Sequence, residues 1–243
     1  MKVKQLKSLW MKAFGDSEAV INLFFDTGYA PERCRYLEEN GEITAALYWM
    51  DGEYAGQNFA YIYGVATDPA HRGKGLCRQL MEKTHRELKA LGYAGAVLMP
   101  AEAGLRNMYA KMGYRECSTL TEFSCEAGKP VEVHAISRKE YARLRRAYLP
   151  ETGLIQENEN LRYLETYAAL YAGEDFVLAA VHGEDRLFGM ELLGNASAAQ
   201  GILSSMGYEK GTFRIPGEGM PFGMCIPLRE DARMPKYLGL AFD

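Results

Sequence analysis

A short basic segment with two glycines, His71-Arg72-Gly73-Lys74-Gly75, joins an apolar strand-like run to a strongly amphipathic helix. The run covers residues 58–65, and a break containing proline follows at 67–69. Beyond the glycines, helical spacing predicts one buried face; its positions are Leu76, Leu80, Thr84, Leu88 and Leu91. A second apolar run at 94–99 completes the order strand, loop, helix, strand. Such a unit is a right-handed crossover between parallel strands, so we expect an α/β or α+β fold with a mixed central sheet.

The glycine segment is suited to binding a phosphate group. A loop before a helix exposes unpaired backbone N–H groups at the positive end of the helix dipole. Glycine lets the backbone approach a ligand closely, and Arg72 and Lys74 add positive charge. A Walker A loop would need Gly where Asp68 stands, and a dinucleotide fingerprint would need Gly where Arg78 stands. Both of these nucleotide-binding motifs are therefore excluded.

Composition excludes several classes of function. The chain has 243 residues, of which 48% are hydrophobic and 25% charged, as is typical of globular proteins. Its formal charge is −4 and neither half is basic, so we expect no nucleic-acid partner. No apolar run is long enough for a membrane span, and the five cysteines and four histidines show no metal-ligand spacing. We therefore expect a cytoplasmic protein with free thiols, no metal and no membrane contact.

Two motifs resemble those of the GNAT superfamily of N-acetyltransferases. The run Arg72-Gly73-Lys74-Gly75-Leu76-Cys77 resembles the acyl-CoA signature R/Q-x-x-G-x-G/A of that family, with cysteine as a departure at the last position. The run Leu105-Arg106-Asn107-Met108-Tyr109-Ala110-Lys111-Met112-Gly113-Tyr114 is similar to the second family motif, which ends in Tyr-x-Lys-(apolar)-Gly-(aromatic). The two motifs occur in the order and spacing of the family and span about residues 58–115. The resemblance implies the GNAT fold and acetyl-CoA as co-substrate.

The resemblance also implies roles for individual residues. The backbone of the strand before the loop would bind the pantetheine arm, and the loop N–H groups would bind the pyrophosphate. The implied acetyl-CoA-binding residues are Val65, Ala66, Thr67, Arg72, Gly73, Lys74, Gly75, Leu76 and Cys77. The N–H of Val65 would stabilise the oxyanion, and Tyr109 would protonate the departing thiolate as general acid. A tyrosine that only packs in the core is the alternative interpretation of Tyr109.

The implied function is transfer of an acetyl or other short acyl group from acetyl-CoA to a primary amine, which attacks directly in a ternary complex. The acceptor would be a small molecule or a peptide. The general base is open, because the strand before the loop offers only Tyr61 and Tyr63; Glu53, Glu102 and a water chain are the candidates. A non-catalytic acyl-CoA-binding regulatory module is the alternative function, and a homodimer is an open possibility.

The second half of the sequence echoes the first. We expect an acyl-CoA-binding GNAT domain at 1–127 and a smaller, degenerate GNAT-like α+β domain at 128–243. Three short matches support this division: Arg35-Tyr36-Leu37-Glu38 with Arg162-Tyr163-Leu164-Glu165, Gly52-Glu53 with Gly183-Glu184, and Met112-Gly113-Tyr114 with Met206-Gly207-Tyr208. The offsets of the last two differ by 37 residues, which correspond to the glycine loop, its helix and the next strand. The alternative is a chance match of short motifs.

Several elements are predicted outside the motifs. A hairpin is expected from 42–50 and 58–65 with its turn at Asp51-Gly52, and a strand at 117–125 should close the first domain. Helices are expected at 138–148, 159–171 and 196–206, and a hairpin at 176–193. The apolar segment 237–243 should dock, either packing on the second domain or placing its terminal carboxylate in the acceptor site.

Overall fold

The computed structural model describes residues 2–242 and divides into two compact units. Unit 1 comprises Met1–Arg115 and Met224–Met234, and unit 2 comprises Glu116–Gly223 and Pro235–Asp243. The chain therefore crosses from one unit to the other three times. The strand expected to close the first domain lies in unit 2, and a later segment returns to unit 1. None of the helices within 2–242 is long and apolar enough to cross a bilayer.

The elements have the following bounds. The helices are α1 Lys2–Phe14, α2 Glu18–Thr27, α3 Leu76–Ala90, α4 Ala103–Ala110, α5 Arg138–Tyr148, α6 Glu159–Leu164 and α7 Ala199–Met206. The first strands are β1 Cys34–Glu39, β2 Glu42–Tyr54, β3 Gln57–Thr67, β4 Gly95–Leu98, β5 Arg115–Glu116, β6 Thr119–Glu126 and β7 His134–Ala135. The later strands are β8 Ile155–Gln156, β9 Ala169–Ala172, β10 Phe176–His182, β11 Leu187–Gly194, β12 Lys210–Pro216, β13 Met220–Pro221 and β14 Met224–Pro227.

Unit 1 is a twisted sheet with helices on both faces. Its strands follow the order β1-β2-β3-β4-β14, and only the β3–β4 pair is parallel. Side chains of α3, such as Leu80 and Leu88, pack with Leu47 of β2 on one face. Trp10 of α1 packs against Tyr48 on the opposite face. This arrangement confirms the mixed central sheet with flanking helices that the sequence predicts.

The β2–β3 hairpin is longer than predicted, and its turn lies elsewhere. Asp51 and Gly52 are strand residues paired with β3, so the prediction of a turn there is wrong. The turn is at Ala55-Gly56, where both residues have positive φ (51° and 72°), as a tight hairpin requires. Four further residue pairs, from Asp51 to Tyr54, thereby join the ladder.

Unit 2 contains the second mixed sheet, in the order β13-β6-β12-β11-β10-β9-β7. Only β11 and β12 pair in parallel. The predicted helix at 138–148 and the hairpin near 176–193 are confirmed. The predicted helix at 159–171 ends instead at Leu164, because Ala169–Ala172 pair with β10 as strand β9. Hydrogen bonding to β10 therefore determines the conformation of Ala169–Ala172, although the spacing of apolar residues there predicts a helix.

Only one of the three sequence matches joins equivalent structures. Residues 35–38 lie in strand β1, whereas 162–165 lie at the end of helix α6. Gly52-Glu53 is in a strand, whereas Gly183 begins a turn closed by its N–H bond to Arg186 O. The count of 37 missing residues therefore does not rest on equivalent landmarks. By contrast, Gly113 and Gly207 of the third match both have positive φ (97° and 78°) and lie just after a helix. In both, the N–H of the following tyrosine bonds a carbonyl of that helix, Tyr114 to Tyr109 O and Tyr208 to Leu203 O.

Candidate functional site

Strands β3 and β4 separate just before the glycine segment. Their parallel register covers Phe59 to Tyr61 only, and β4 ends at Leu98. Strand β3 continues for six more residues to Thr67. The predicted binding residues Val65, Ala66 and Thr67 all lie on this extension. Their backbone therefore borders a V-shaped opening in the sheet, where an extended ligand can take the place of the missing strand.

A β-bulge turns Val65 toward the α3 face of the sheet. The β2–β3 register shifts between Ala46 and Tyr48, so Gly64 and Val65 both oppose one residue of β2. Gly64 has a φ of 57°, and a Cβ there would lie 2.8 Å from the Trp10 ring. Side chains alternate along a regular strand, but Val65 packs in the same cluster as Ile62 of β3. The bulge therefore exposes backbone groups of Gly64 and Val65 at the opening.

The glycine segment forms an open loop of backbone N–H groups, which we call the cradle (residues 72–78). Gly73 and Gly75 have φ of 79° and 77°, and a Cβ on either would meet no atom within 4 Å. Gly75 caps α3 without a side-chain hydrogen bond, and Gln79 N–H is the first to bond back, to Gly75 O at 3.1 Å. Within residues 2–242, the N–H groups of 73–78 have no hydrogen-bond acceptor. The cradle can therefore bind an anion.

The start of the cradle is anchored to α1. Asp68 accepts a hydrogen bond from Ala70 N–H at 2.9 Å and forms an ion pair with Lys12 of α1 at 3.0 Å. These contacts lower the pKa of Asp68, with the backbone hydrogen bond as the main cause. Arg72 Nη2 donates to Ala13 O at 3.2 Å. Exposed Arg72 and Lys74 keep positive charge at the cradle.

Tyr109 lies on α4 and is 6% exposed. Its ring packs edge-on against Tyr114 at 5.8 Å, in the cluster that also contains Val65, Leu76 and Cys77. The structure thus brings the predicted general acid together with the predicted binding residues. Burial, with a smaller contribution from the Cys77 thiol, raises the pKa of Tyr109. Its hydroxyl has no hydrogen-bond partner among residues 2–242, so it holds a proton that it can donate to a ligand.

A second ionisable pair supports this helix end. His85 of α3 and the fully buried Tyr114 share a hydrogen bond of 2.9 Å. Burial lowers the pKa of His85 from 6.5 to about 4, so its ring is neutral near pH 7. Sequence analysis missed this pair, since one histidine on an amphipathic helix carries no spacing signal. The pair fixes the turn after α4 and with it the position of Tyr109.

The structure places Glu53, one of the two carboxylate candidates for the general base, far from the opening. Glu53 is exposed and pairs with Asn58, seven residues before Val65 on β3. At about 3.3 Å per residue this is roughly 23 Å along the strand. Glu102 is exposed at the start of α4, seven residues before Tyr109. The strand residues Tyr61 and Tyr63 face α1 and α2, on the side of the sheet opposite Tyr109.

The site thus combines a parallel strand pair that splays beside a glycine-rich helix start with a buried tyrosine in the adjoining core. A sequence model described as the acetyltransferase (GNAT) domain matches residues 1–117. Residues 1–117 are therefore a GNAT acetyltransferase domain. No curated protein matches the sequence.

Solved structures with the same fold cover nearly the whole chain. A GCN5-related N-acetyltransferase from Anabaena variabilis has a TM-score of 0.75 and 15% identity, covering 94% of this chain and 71% of its own. A putative acetyltransferase from Pyrococcus horikoshii has a TM-score of 0.63 and 14% identity, covering 98% and 90%. A tandem GNAT protein from the clavulanic acid biosynthesis pathway has a TM-score of 0.57 and 11% identity, covering 94% and 95%. The chain thus shares its fold with these GNAT structures.

Proposed function

We propose that the protein transfers an acetyl or other short acyl group from acetyl-CoA to a primary amine. The observation that carries this proposal is the opening between β3 and β4, which ends in the cradle. An extended arm that ends in a pyrophosphate fits this combination, because strand-like backbone groups lead directly to a row of free N–H groups. Open space at Gly73 and Gly75 leaves room for the phosphates.

In this proposal the chain acts mainly by positioning. Backbone groups of residues 65–67 hold the pantetheine arm, and the N–H groups of residues 72–77 hold the pyrophosphate. The thioester carbonyl then lies at Val65, whose N–H stabilises the developing oxyanion. The amine nitrogen bonds to the carbonyl carbon and the C–S bond breaks. Tyr109 gives its hydroxyl proton to the leaving thiolate, and water takes the proton that the amine loses.

Unit 2 is proposed to be a degenerate GNAT-like domain without a cradle, as expected for residues 128–243. Helix α7 ends like α4, with Tyr208 N–H bonding Leu203 O as Tyr114 N–H bonds Tyr109 O. Leu203 thus stands where unit 1 has Tyr109, and it has no proton to donate. The chain between β11 and β12 also has no basic glycine segment before α7. Only unit 1 would therefore catalyse the reaction.

The test combines binding and turnover. Acetyl-CoA should raise the melting temperature, because a ligand at 100 times its Kd stabilises the native state by about 2.7 kcal/mol. A panel of primary amines should then release free CoA thiol. A thermal shift without thiol release for any amine would favour the non-catalytic acyl-CoA-binding module instead. No thermal shift at millimolar acetyl-CoA would reject both functions.

A further inference from the structure

One face of unit 1 carries an unusually dense group of aromatic side chains. Trp10 is at its centre, with ring centroids of five neighbours between 5.1 and 6.3 Å away. These neighbours are Phe14, Phe24, Phe25, Tyr48 and Tyr63. Tyr29 extends the group by packing on Phe25 and Tyr48, at 4.8 and 6.0 Å. We call this group the aromatic wall.

The aromatic wall is not fully covered by the described chain. Phe14 is 48% exposed, and Tyr29 and Tyr63 are half-buried. Exposed phenylalanine beside other partly exposed rings is uncommon on a protein surface unless it contacts a ligand or partner. The exposed edge thus provides an apolar surface of several rings, in which Phe14 and Tyr63 meet Trp10 at interplanar angles of 69° and 61°.

This edge adjoins the candidate site. Phe14 follows Ala13, whose carbonyl accepts the Arg72 hydrogen bond from the cradle. Tyr63 precedes Val65 by two residues on β3, which is about 7 Å of strand. Tyr63 packs on Trp10, on the face opposite Val65 and Tyr109. A group seated on the wall therefore reaches the thioester position from the side away from Tyr109.

Charges around the wall do not choose between acceptors. Asp68 is paired with Lys12 at 3.0 Å, whereas Asp16 accepts a hydrogen bond from the neutral Trp10 Nε1 at 2.8 Å. Aromatic faces also attract cations, but Lys7 already places its ammonium over Phe25 at 5.1 Å. Flat apolar groups, by contrast, gain both burial and ring contacts on such a surface.

We propose that the acceptor is a primary amine carried by an aromatic group, such as an arylalkylamine, seated on Phe14 and Tyr63. This inference rests on the proposed acetyl transfer and specifies its second substrate. The ring would lie on the wall while the amine extends past Tyr63 to the thioester carbonyl at Val65. The aromatic wall would then determine acceptor specificity.

The test compares 2-phenylethylamine, n-butylamine and spermidine as acceptors, with free CoA thiol as the readout. We expect kcat/KM for 2-phenylethylamine to exceed that for the other two by about 10- to 100-fold, as expected for burial of a phenyl group. Phe14→Ala and Tyr63→Ala should each reduce this preference at least about fivefold, whereas Phe14→Tyr should keep it. KM for acetyl-CoA should stay within about twofold of the wild type in Phe14→Ala.

Leu23→Ala is the matched control, because Leu23 is an exposed apolar residue of unit 1 outside the aromatic wall. It should leave the preference unchanged. Because Phe14 is half-exposed, its replacement tests the proposal even if Tyr63→Ala unfolds unit 1. Equal or better turnover of spermidine, or a preference that survives Phe14→Ala, would overturn the inference while acetyl transfer stands. Failure of the proposed function itself would show separately, as an absence of thiol release by the wild type with every primary amine in the panel.

Discussion

Burial, rather than a charged neighbour, controls the protonation of the two ionisable side chains closest to the candidate site. It raises the pKa of Tyr109 and lowers the pKa of His85. Both shifts favour the neutral form, since desolvation penalises charge of either sign. Near pH 7 the site therefore contains a phenol that keeps its proton and an imidazole that does not take one.

Tyr109→Phe separates catalysis from packing at this position. The change removes a hydroxyl without a partner among residues 2–242, so stability should change by less than about 0.5 kcal/mol. If Tyr109 is the general acid, kcat should fall roughly 100-fold with little change in KM for acetyl-CoA. Steady-state thiol release and thermal melting measure the two effects. Tyr208→Phe, which removes a tyrosine hydroxyl from unit 2 at the position that matches Tyr114, is the control and should leave turnover unchanged. Unchanged turnover in Tyr109→Phe would reject the acid role.

His85 should make the stability of unit 1 depend on pH. The pKa is 6.5 in the unfolded chain and about 4 in the folded one, so between these values the unfolded chain binds more protons. The free energy of unfolding of unit 1 should therefore be unaffected by His85 above about pH 6.5. It should decrease as the pH falls toward 4, by about 3 kcal/mol in total.

Urea unfolding of the wild type and of His85→Gln tests this dependence. Both tryptophans, Trp10 and Trp49, are in unit 1, so their fluorescence reports on this unit. The urea midpoint of the wild type should fall relative to that of His85→Gln between pH 7 and pH 4.5. Parallel midpoints across this range would show that His85 is not held neutral.

At the scale of elements, the sequence predicts a helix or strand correctly where neighbouring residues alone determine the conformation of the backbone. The order of strand, glycine segment and amphipathic helix follows from the local sequence at residues 58–91, and the structure has it as β3, the cradle and α3. The hairpin turn was misplaced because Asp51-Gly52 and Ala55-Gly56 are both plausible turns, and only pairing along β3 selects the second. Likewise, pairing with β10 makes Ala169–Ala172 a strand, and no local signal specifies that contact.

The positive φ of Gly75 provides a test of the cradle as an element. Gly75→Ala strains a left-handed residue, which costs about 1–2 kcal/mol, and places a methyl group among the N–H groups. Gly92→Ala has the same conformational cost at φ 91°, also with nothing within 4 Å, but at the other end of α3.

Both glycine variants should therefore lower the melting temperature by a similar amount. Only Gly75→Ala should also weaken acetyl-CoA binding, by about tenfold or 1.4 kcal/mol. Isothermal titration with acetyl-CoA on both variants makes the comparison. Equal affinities would argue that the cradle does not contact the ligand.

At the scale of the whole molecule, the division into units could not be predicted from local patterns. Strand β14 pairs with β4, although about 126 residues separate them in sequence, and its Ile226 would contact a Cβ placed at Gly113. The final segment then returns to unit 2, where all residues from Tyr237 to Phe242 are buried. Asp243, whose carboxylate was a candidate for the acceptor site, lies outside the described residues.

A buried polar group ties this returning segment to the core of unit 2. Glu191 of β11 is fully buried and accepts two hydrogen bonds from Arg145 of α5, at 2.6 and 3.0 Å. It also accepts from the hydroxyls of Tyr141 and Tyr237, at 2.9 and 3.2 Å. A Cβ on Gly239 would lie 1.6 Å from Glu191 Oε1, so only glycine fits beside the carboxylate. Helix α5 and the final segment are thus both hydrogen-bonded to one buried carboxylate on strand β11.

Because a buried ion pair is costly chiefly when broken, the double variant should be more stable than the single variant Arg145→Met. Arg145→Met leaves Glu191 uncompensated and should destabilise unit 2 by about 3–5 kcal/mol. Adding Glu191→Gln removes the buried charge while its amide oxygen accepts from one tyrosine hydroxyl and its NH2 group donates to the other, so it should restore at least about half of the loss. Hydrogen exchange of α5, β11 and the final segment measures this, since unit 2 has no tryptophan. A double variant less protected than Arg145→Met would mean that the carboxylate, and not the pair, holds these elements together.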